Sequence, residues 1–260
     1  MSTLRTIHHF SCSGGTVISK VIQSMKNVQL VSEIHPHNLK YRFNPFDPTQ
    51  LLLSRNSKQN IELCNHIFLN RIKECKFITD KLNQKLVLRD HTHFDYLIAS
   101  NAQSIINTKS LIDVLSNDFK LISLLTIRNP IDIYLSLERN KWYNHSLSNK
   151  FDDFCRRFNL MINTYSQLGI KIIKYEDFCE KPYEVTKEIC EVLNLQFNKF
   201  FMEIFFKVEL TGDSGRGNEM TTIEPLPPRF ISKDFKKEIL SSVDFDIISK
   251  KFNYKIHKVK

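Results

Sequence analysis

The sequence predicts an α/β fold: a three-layer sandwich in which helices cover both faces of a central parallel sheet. Two observations carry this expectation. Residues 4–31 read as a strand, a short polar loop, a helix and a second strand. Leu121–Ile127 is nearly all apolar, the pattern of a central parallel strand covered on both sides. Short apolar runs alternate with amphipathic stretches through the rest of the chain, as a parallel sheet with crossover helices requires. There is no internal repeat and no low-complexity segment, and residues 1–260 are read as one domain.

Leu4–Phe10 reads as the first strand, and Ser11-Cys12-Ser13-Gly14-Gly15 as the loop after it. From Thr16 to Met25, Val17, Ile18, Val21, Ile22 and Met25 recur at helical spacing. Val28–Val31 is a second strand, and residues 43–59, with Pro45 and Pro48, a loop. A helix is expected over Ile61–Phe77, and a brief strand over Leu86–Leu88 ending in Arg89-Asp90-His91-Thr92-His93. Helical stretches fill Phe94–Leu115. Pro130 suits the first turn of a helix after the Leu121–Ile127 strand. Phe151–Leu168 places Phe154, Phe158, Ile162 and Tyr165 on one face, and Gly169 stops it. Ile170–Tyr175 reads as a strand and Pro182–Leu193 as a helix. Residues 211–229 read as a functional or mobile loop, with a final helix from Lys233.

The formal net charge of +9 favours anionic partners without choosing among them. The lysines of the tail, at 250, 251, 255, 258 and 260, read as a solvated end, and no nucleic-acid-binding signature accompanies them. The six cysteines form no C-x-x-C pair and no zinc spacing, so no metal site is expected and the thiols read as reduced. No run has signal-peptide character or approaches the ~20 apolar residues of a membrane span. A cytoplasmic location is expected. The oligomeric state is not readable.

In an open parallel sheet, ligands bind beyond the carboxyl ends of the strands. Three polar clusters fall there: Ser11–Thr16, Arg89–His93 and Arg128 onward. Ser13-Gly14-Gly15-Thr16, between strand and helix, suits an anion held by backbone N–H groups. It is equally a plain turn. The Walker pattern G-x-x-x-x-G-K-[ST] is absent, which argues against a magnesium-dependent NTPase.

Thr126–Ser136 resembles the 3′-phosphate-binding segment of the PAPS-dependent sulfotransferases (PAPS is 3′-phosphoadenosine 5′-phosphosulfate): a strand, Arg128, a polar-Pro turn, then Ser136 on the next helix. Arg supplies a planar, permanently charged fork for a phosphate. Phe10–Ile18 is similar to the family's 5′-phosphosulfate loop, a P-loop-like element. Ser13, Gly14 and Thr16 match its pattern, with Gly15 between them, but Cys12 stands where the family has a cation. Lys20 and Arg89 are the candidates to replace it. Tyr175-Glu176-Asp177-Phe178 resembles the family's Tyr-Glu-Asp-Leu segment, implying Tyr175 near the adenine. Ser214, Gly215 and Arg216 fall where the family places further 3′-phosphate contacts. Arg89-Asp90-His91 resembles the Lys-x-His segment, which implies His91 as the general base. His93 competes for that role, with Asp90 orienting a histidine. So does Glu33, placed like the catalytic Glu of the tyrosylprotein sulfotransferases but one residue farther from the first loop. His8 and His9 read as structural.

The resemblance thus implies sulfuryl transfer from PAPS to a hydroxyl or amine. The acceptor, whether glycan, lipid, peptide or small molecule, is not named by the sequence. A small-molecule kinase and a non-catalytic nucleotide- or polyanion-binding protein are the other readings.

Overall fold

The structure is a computed structural model that describes residues 1–36, 61–98, 109–140, 151–210, 221–225, 227 and 229–259. Its centre is a five-stranded sheet in the order β2-β3-β1-β4-β5, parallel throughout. The strands are β1 (Ser2–His9), β2 (Val28–Ile34), β3 (Lys85–Asp90), β4 (Phe119–Ile127) and β5 (Lys171–Lys174). β1 is flanked by β3 and β4, so the loop that follows it opens at the middle of the sheet's carboxyl edge.

Alternation along each strand sorts the core. On β3, Val87 faces one way and Leu86 and Leu88 the other. On β4, Leu124 opposes Leu125 and Ile127. One face packs against α1 (Gly15–Gln23), α6 (Tyr175–Glu180) and α7 (Pro182–Val192), through Val21, Ile22, Phe178 and Ile189. The opposite face carries α2 (Ile61–Lys81), α3 (Ser110–Leu115), α4 (Pro130–Arg139) and α5 (Phe151–Gln167). There Phe154 and Phe158 of α5 stand edge-on to Phe10, with centroids 5.9 and 5.2 Å away. A short α8 (Phe201–Ile204) precedes the last helices.

The observed elements extend several expectations. β2 runs to Ile34 rather than stopping at Val31, α2 runs to Lys81, and β3 reaches Asp90. Tyr175 begins a helix rather than ending a strand. The expected final helix is two, α9 (Lys233–Ser241) and α10 (Val243–Phe252). Ser242 divides them: its backbone is extended, and its Oγ accepts the Phe245 N–H as the cap of α10. Phe94–Ile98 forms a π-helical turn and Ser110–Leu115 a helix. The expected loop over 43–59 lies outside the described residues, as do residues 99–108 and 211–220. Gly169 closes α5 with φ 69°, and the Ile170 N–H returns to the Tyr165 carbonyl, as expected of a C-terminal glycine.

The tail corrects the sequence reading. The Lys250, Lys251, Lys255 and Lys258 side chains are exposed, but the backbone around them packs on the body. The Ile231 N–H binds the Lys258 carbonyl, and the Asn129 side chain donates to the Lys255 carbonyl. Alternating Tyr254, Ile256 and Val259 among the lysines supply the apolar contacts that hold it.

Phe158→Ala removes a fully buried ring from the α5 core. It is expected to lower stability by about 3–5 kcal/mol. Urea unfolding checks this: the midpoint falls while the slope is kept.

Candidate active site

Three strand ends and one helix start converge at the carboxyl edge. Gly14 caps α1 in a left-handed conformation, φ 85°, and Cys12 is also left-handed at φ 66°. The Phe10 carbonyl accepts both the Ser13 N–H and the Ser13 Oγ–H, at 3.3 and 2.7 Å, which closes the loop tightly. The glycines are required by their neighbours as well as by the turn. A Cβ on Gly14 would sit 2.1 Å from the Tyr175 ring, and one on Gly15 would sit 2.3 Å from the His9 ring. The first N–H groups of α1 lie at this turn, where a helix start favours an anion.

Arg89 brings a cation to this loop. Its guanidinium, almost fully buried, donates to Thr16 Oγ1 and to Ser32 Oγ, each at 3.0 Å. It also donates to His9 Nε2 at 3.1 Å, and Glu33 Oε1 lies 3.7 Å away. Lys20, the other candidate, is buried along α1. Cys12 brings no charge: burial raises its thiol, outweighing an Asn140 hydrogen bond and the charges of Arg128, Arg229 and Arg139.

Glu33 and Ser32 reach Arg89 because of a bulge. Between the pairs Val31–Leu88 and Ile34–Asp90, β2 has two residues where β3 has one. Glu33 takes φ 56°, a strained conformation for that residue.

Arg128 closes the other side. It donates to the Cys12 carbonyl at 3.3 Å and lies over the Tyr175 ring at 4.9 Å. Tyr175 therefore contacts both Gly14 and Arg128. Glu176 Oε1 accepts the Asn129 N–H at 2.8 Å, tying α6 to the turn that carries Arg128. Asn129 caps α4, and Ser136 is buried two turns along it. Asp132 lies 3.8 Å from Arg128 and 3.6 Å from His257. Arg139, Asn140 and Arg229 complete this anion-attracting side, with Asn140 Nδ2 3.8 Å from Cys12 Sγ. Nothing in the sequence singles them out: Arg229 reaches Arg128 only through folding. Ser214, Gly215 and Arg216 lie outside the described residues.

Histidines gather at the end of β3. His91 and His93 meet edge to face with centroids 3.8 Å apart, and both contact Phe94. The strand ends at Asp90, so a turn rather than an extended backbone brings them together. Burial lowers His91 to about 4 despite the Asp90 carboxylate, with His35 and Arg89 acting in the same direction as burial. Burial, then like charge, depresses His93 and His9 as well. Asp90 does not orient His91. Its carboxylate pairs with His8 Nδ1 at 2.8 Å and accepts from Thr92, while Tyr165 and Thr6 complete the buried network. His8 is structural, as expected. His9, expected to be structural, also holds Arg89. Among the described residues no His, Cys, Asp or Glu cluster could hold a metal ion.

No family model and no curated protein sequence matches the chain. Solved structures do. A sulfotransferase domain from the curacin biosynthetic pathway aligns with a TM-score of 0.62 at 12% identity, covering 98% of this chain and 99% of that one. A sulfotransferase domain from the Synechococcus PCC 7002 olefin synthase aligns at 0.60 and 13% identity, covering 98% and 96%. The chain has the sulfotransferase fold.

Two outcomes follow from the geometry. Gly14→Ala forces a side chain into the Tyr175 ring at a left-handed position and is expected to cost about 1–3 kcal/mol, read by urea unfolding. The second concerns pH. His9, His91 and His93 have folded pKa values below their unfolded ones, so the unfolded chain binds more protons as the pH falls. Glu176, raised by burial, works in the opposite sense but is one group against three. The contribution of the histidines is intact above their ordinary pKa of about 6.5 and declines toward pH 4. Melting temperatures measured across that interval should fall with pH, and a flat profile would contradict the assignment.

Proposed function

We propose that this chain is a sulfotransferase that moves a sulfuryl group from PAPS to a hydroxyl or amine of an acceptor. The observation that carries the proposal is the joining of the loop, Arg128 and Tyr175: the guanidinium is bonded to the Cys12 carbonyl and lies over a ring packed on Gly14. The reading is supported by the position of these groups at the carboxyl edge of the sheet, since ligands of open α/β sheets bind beyond that edge.

In this reading Arg128 and Ser136 hold the 3′-phosphate, with Arg229, Arg139 and the late-loop Arg216 adding positive charge. The loop from Cys12 to Thr16 holds the 5′-phosphosulfate, and Tyr175 lines the nucleotide. His91, neutral at physiological pH, takes the proton from the attacking oxygen or nitrogen. The bond from that atom to sulfur forms as the bond from sulfur to the phosphate oxygen breaks. Arg89, Thr16 and the N–H groups of α1 offset charge growing on the departing phosphate. Arg89 thus does from β3 what the family's loop cation does, and Cys12 is a neutral filler. Glu33 pairs with Arg89 and is the alternative base. No metal is needed, because these donors cover the leaving group. The free cysteines fit a reducing, cytoplasmic setting. No helix among the described residues is long and apolar enough to cross a membrane.

Thermal shift with adenosine 3′,5′-bisphosphate, against ATP with magnesium, tests the reading. Ligand at ~100 times its Kd adds about 2.7 kcal/mol. The expected result is stabilisation by the bisphosphate alone, lost in Arg128→Ala. His91→Ala is expected to keep that shift while lowering turnover roughly 10²–10⁴-fold. A response to ATP alone would favour a kinase. Strong binding of PAPS with no transfer to any acceptor would favour a non-catalytic binding protein.

A further inference from the structure

Ser11 has no role in the site as drawn so far. It directly precedes Cys12, and its Oγ lies 2.9 Å from His93 Nδ1. His93 in turn packs edge to face on His91, and Phe94 backs both rings at 5.3 and 5.7 Å. His35 stacks on the Phe94 ring at 5.2 Å and is tied to Asp95, whose carboxylate also accepts the Ser110 N–H and hydroxyl. The row runs from the first loop to the start of α3 without leaving polar or aromatic contact.

From this row we infer that Ser11 is a positioning residue: by holding His93, it sets the orientation of His91 and ties it to the shape of the donor loop. The inference rests on the sulfotransferase reading above and extends it.

The loop's construction makes the link stiff. Ser11 lies between Phe10, whose carbonyl takes two bonds from Ser13, and Cys12, whose carbonyl is held by Arg128. A donor that settles on Ser13–Thr16 and Arg128 therefore acts on Ser11 through one or two peptide units. The hydroxyl holds one nitrogen of His93 and so limits how its ring lies against His91. The charged and titratable groups around His91 are His93 beside it, Arg89 and Asp90 on β3, His9 at the end of β1 and His35 just after β2. Two imidazoles this close, beside a guanidinium, cannot both carry a proton at little cost. His93, kept neutral by burial and held in place by Ser11, thus leaves His91 available as a base.

Ser11→Ala and Ser11→Thr test this, with histidine ring NMR of the full chain and steady-state kinetics. In Ser11→Ala the His91 titration is expected to move while the bisphosphate thermal shift stays. Turnover should fall about 10- to 100-fold with little change in KM for PAPS. Ser11→Thr, which keeps the hydroxyl, should restore both. An unmoved His91 titration in Ser11→Ala would overturn the inference. So would loss of the bisphosphate shift with the hydroxyl, since Ser11 would then belong to the donor site itself. A wild-type chain that ignores the bisphosphate would instead defeat the sulfotransferase reading, while the ring titration of the free protein would still decide whether Ser11 holds the histidine pair.

Discussion

A permanently charged guanidinium buried at the carboxyl edge of the sheet constrains everything around it. Arg89 is nearly inaccessible to water, and an unpaired charge there would cost several kcal/mol. Each of its neighbours answers that demand. Thr16 and Ser32 accept from it, Glu33 brings a carboxylate near, and His9 accepts through Nε2. The same charge helps keep His9, His91 and His93 neutral. One buried cation thus braces the glycine loop on one side and uncharged imidazoles on the other. The bulge of β2 belongs to this constraint, since it turns Ser32 and Glu33 together toward the guanidinium.

The site divides electrically. Arg128, Arg139 and Arg229 gather around Cys12 and Asp132, forming a basic side suited to an anionic nucleotide. The histidine side carries no such excess. Between them stands the loop, held by Arg128 through the Cys12 carbonyl, by Arg89 through Thr16, and by Ser11 through His93. In the proposed reaction, negative charge grows where the basic side and the loop meet. A proton leaves on the opposite side. Neutral imidazoles suit the second task because they can accept that proton.

Connections far apart in sequence make the arrangement rigid. Tyr175 packs on Gly14 and under Arg128, joining residues more than a hundred positions apart. Glu176 fixes the turn after β4, and the tail reaches the same turn through the Lys255 carbonyl and His257. Beneath them the Thr6–His8–Asp90–Thr92–Tyr165 network joins β1, β3 and α5. Connected networks of this kind favour one geometry over several, here through Asp90 Oδ2.

Much of this was legible in the sequence because it rests on local pattern. Apolar alternation and run length set the strands and helices of an α/β sandwich, and the strand-end rule placed Ser11–Thr16, Arg89–His93 and Arg128 at one edge. The resemblance to the sulfotransferases drew attention to Arg128, His91 and the glycine loop. What stayed out of reach depends on which strands become neighbours. The contact of Arg89 with the first loop follows from β3 lying beside β1. The pairing of Asp90 with His8 rather than His91 follows from the side of the sheet each faces. The bulge at Glu33, the recruitment of Arg229, the docking of the lysine-bearing tail and the Ser11–His93 contact have no local signature. Sequence periodicity reports whether a residue faces a core; only the packed sheet decides which distant side chain it meets there, because that depends on strand order and register.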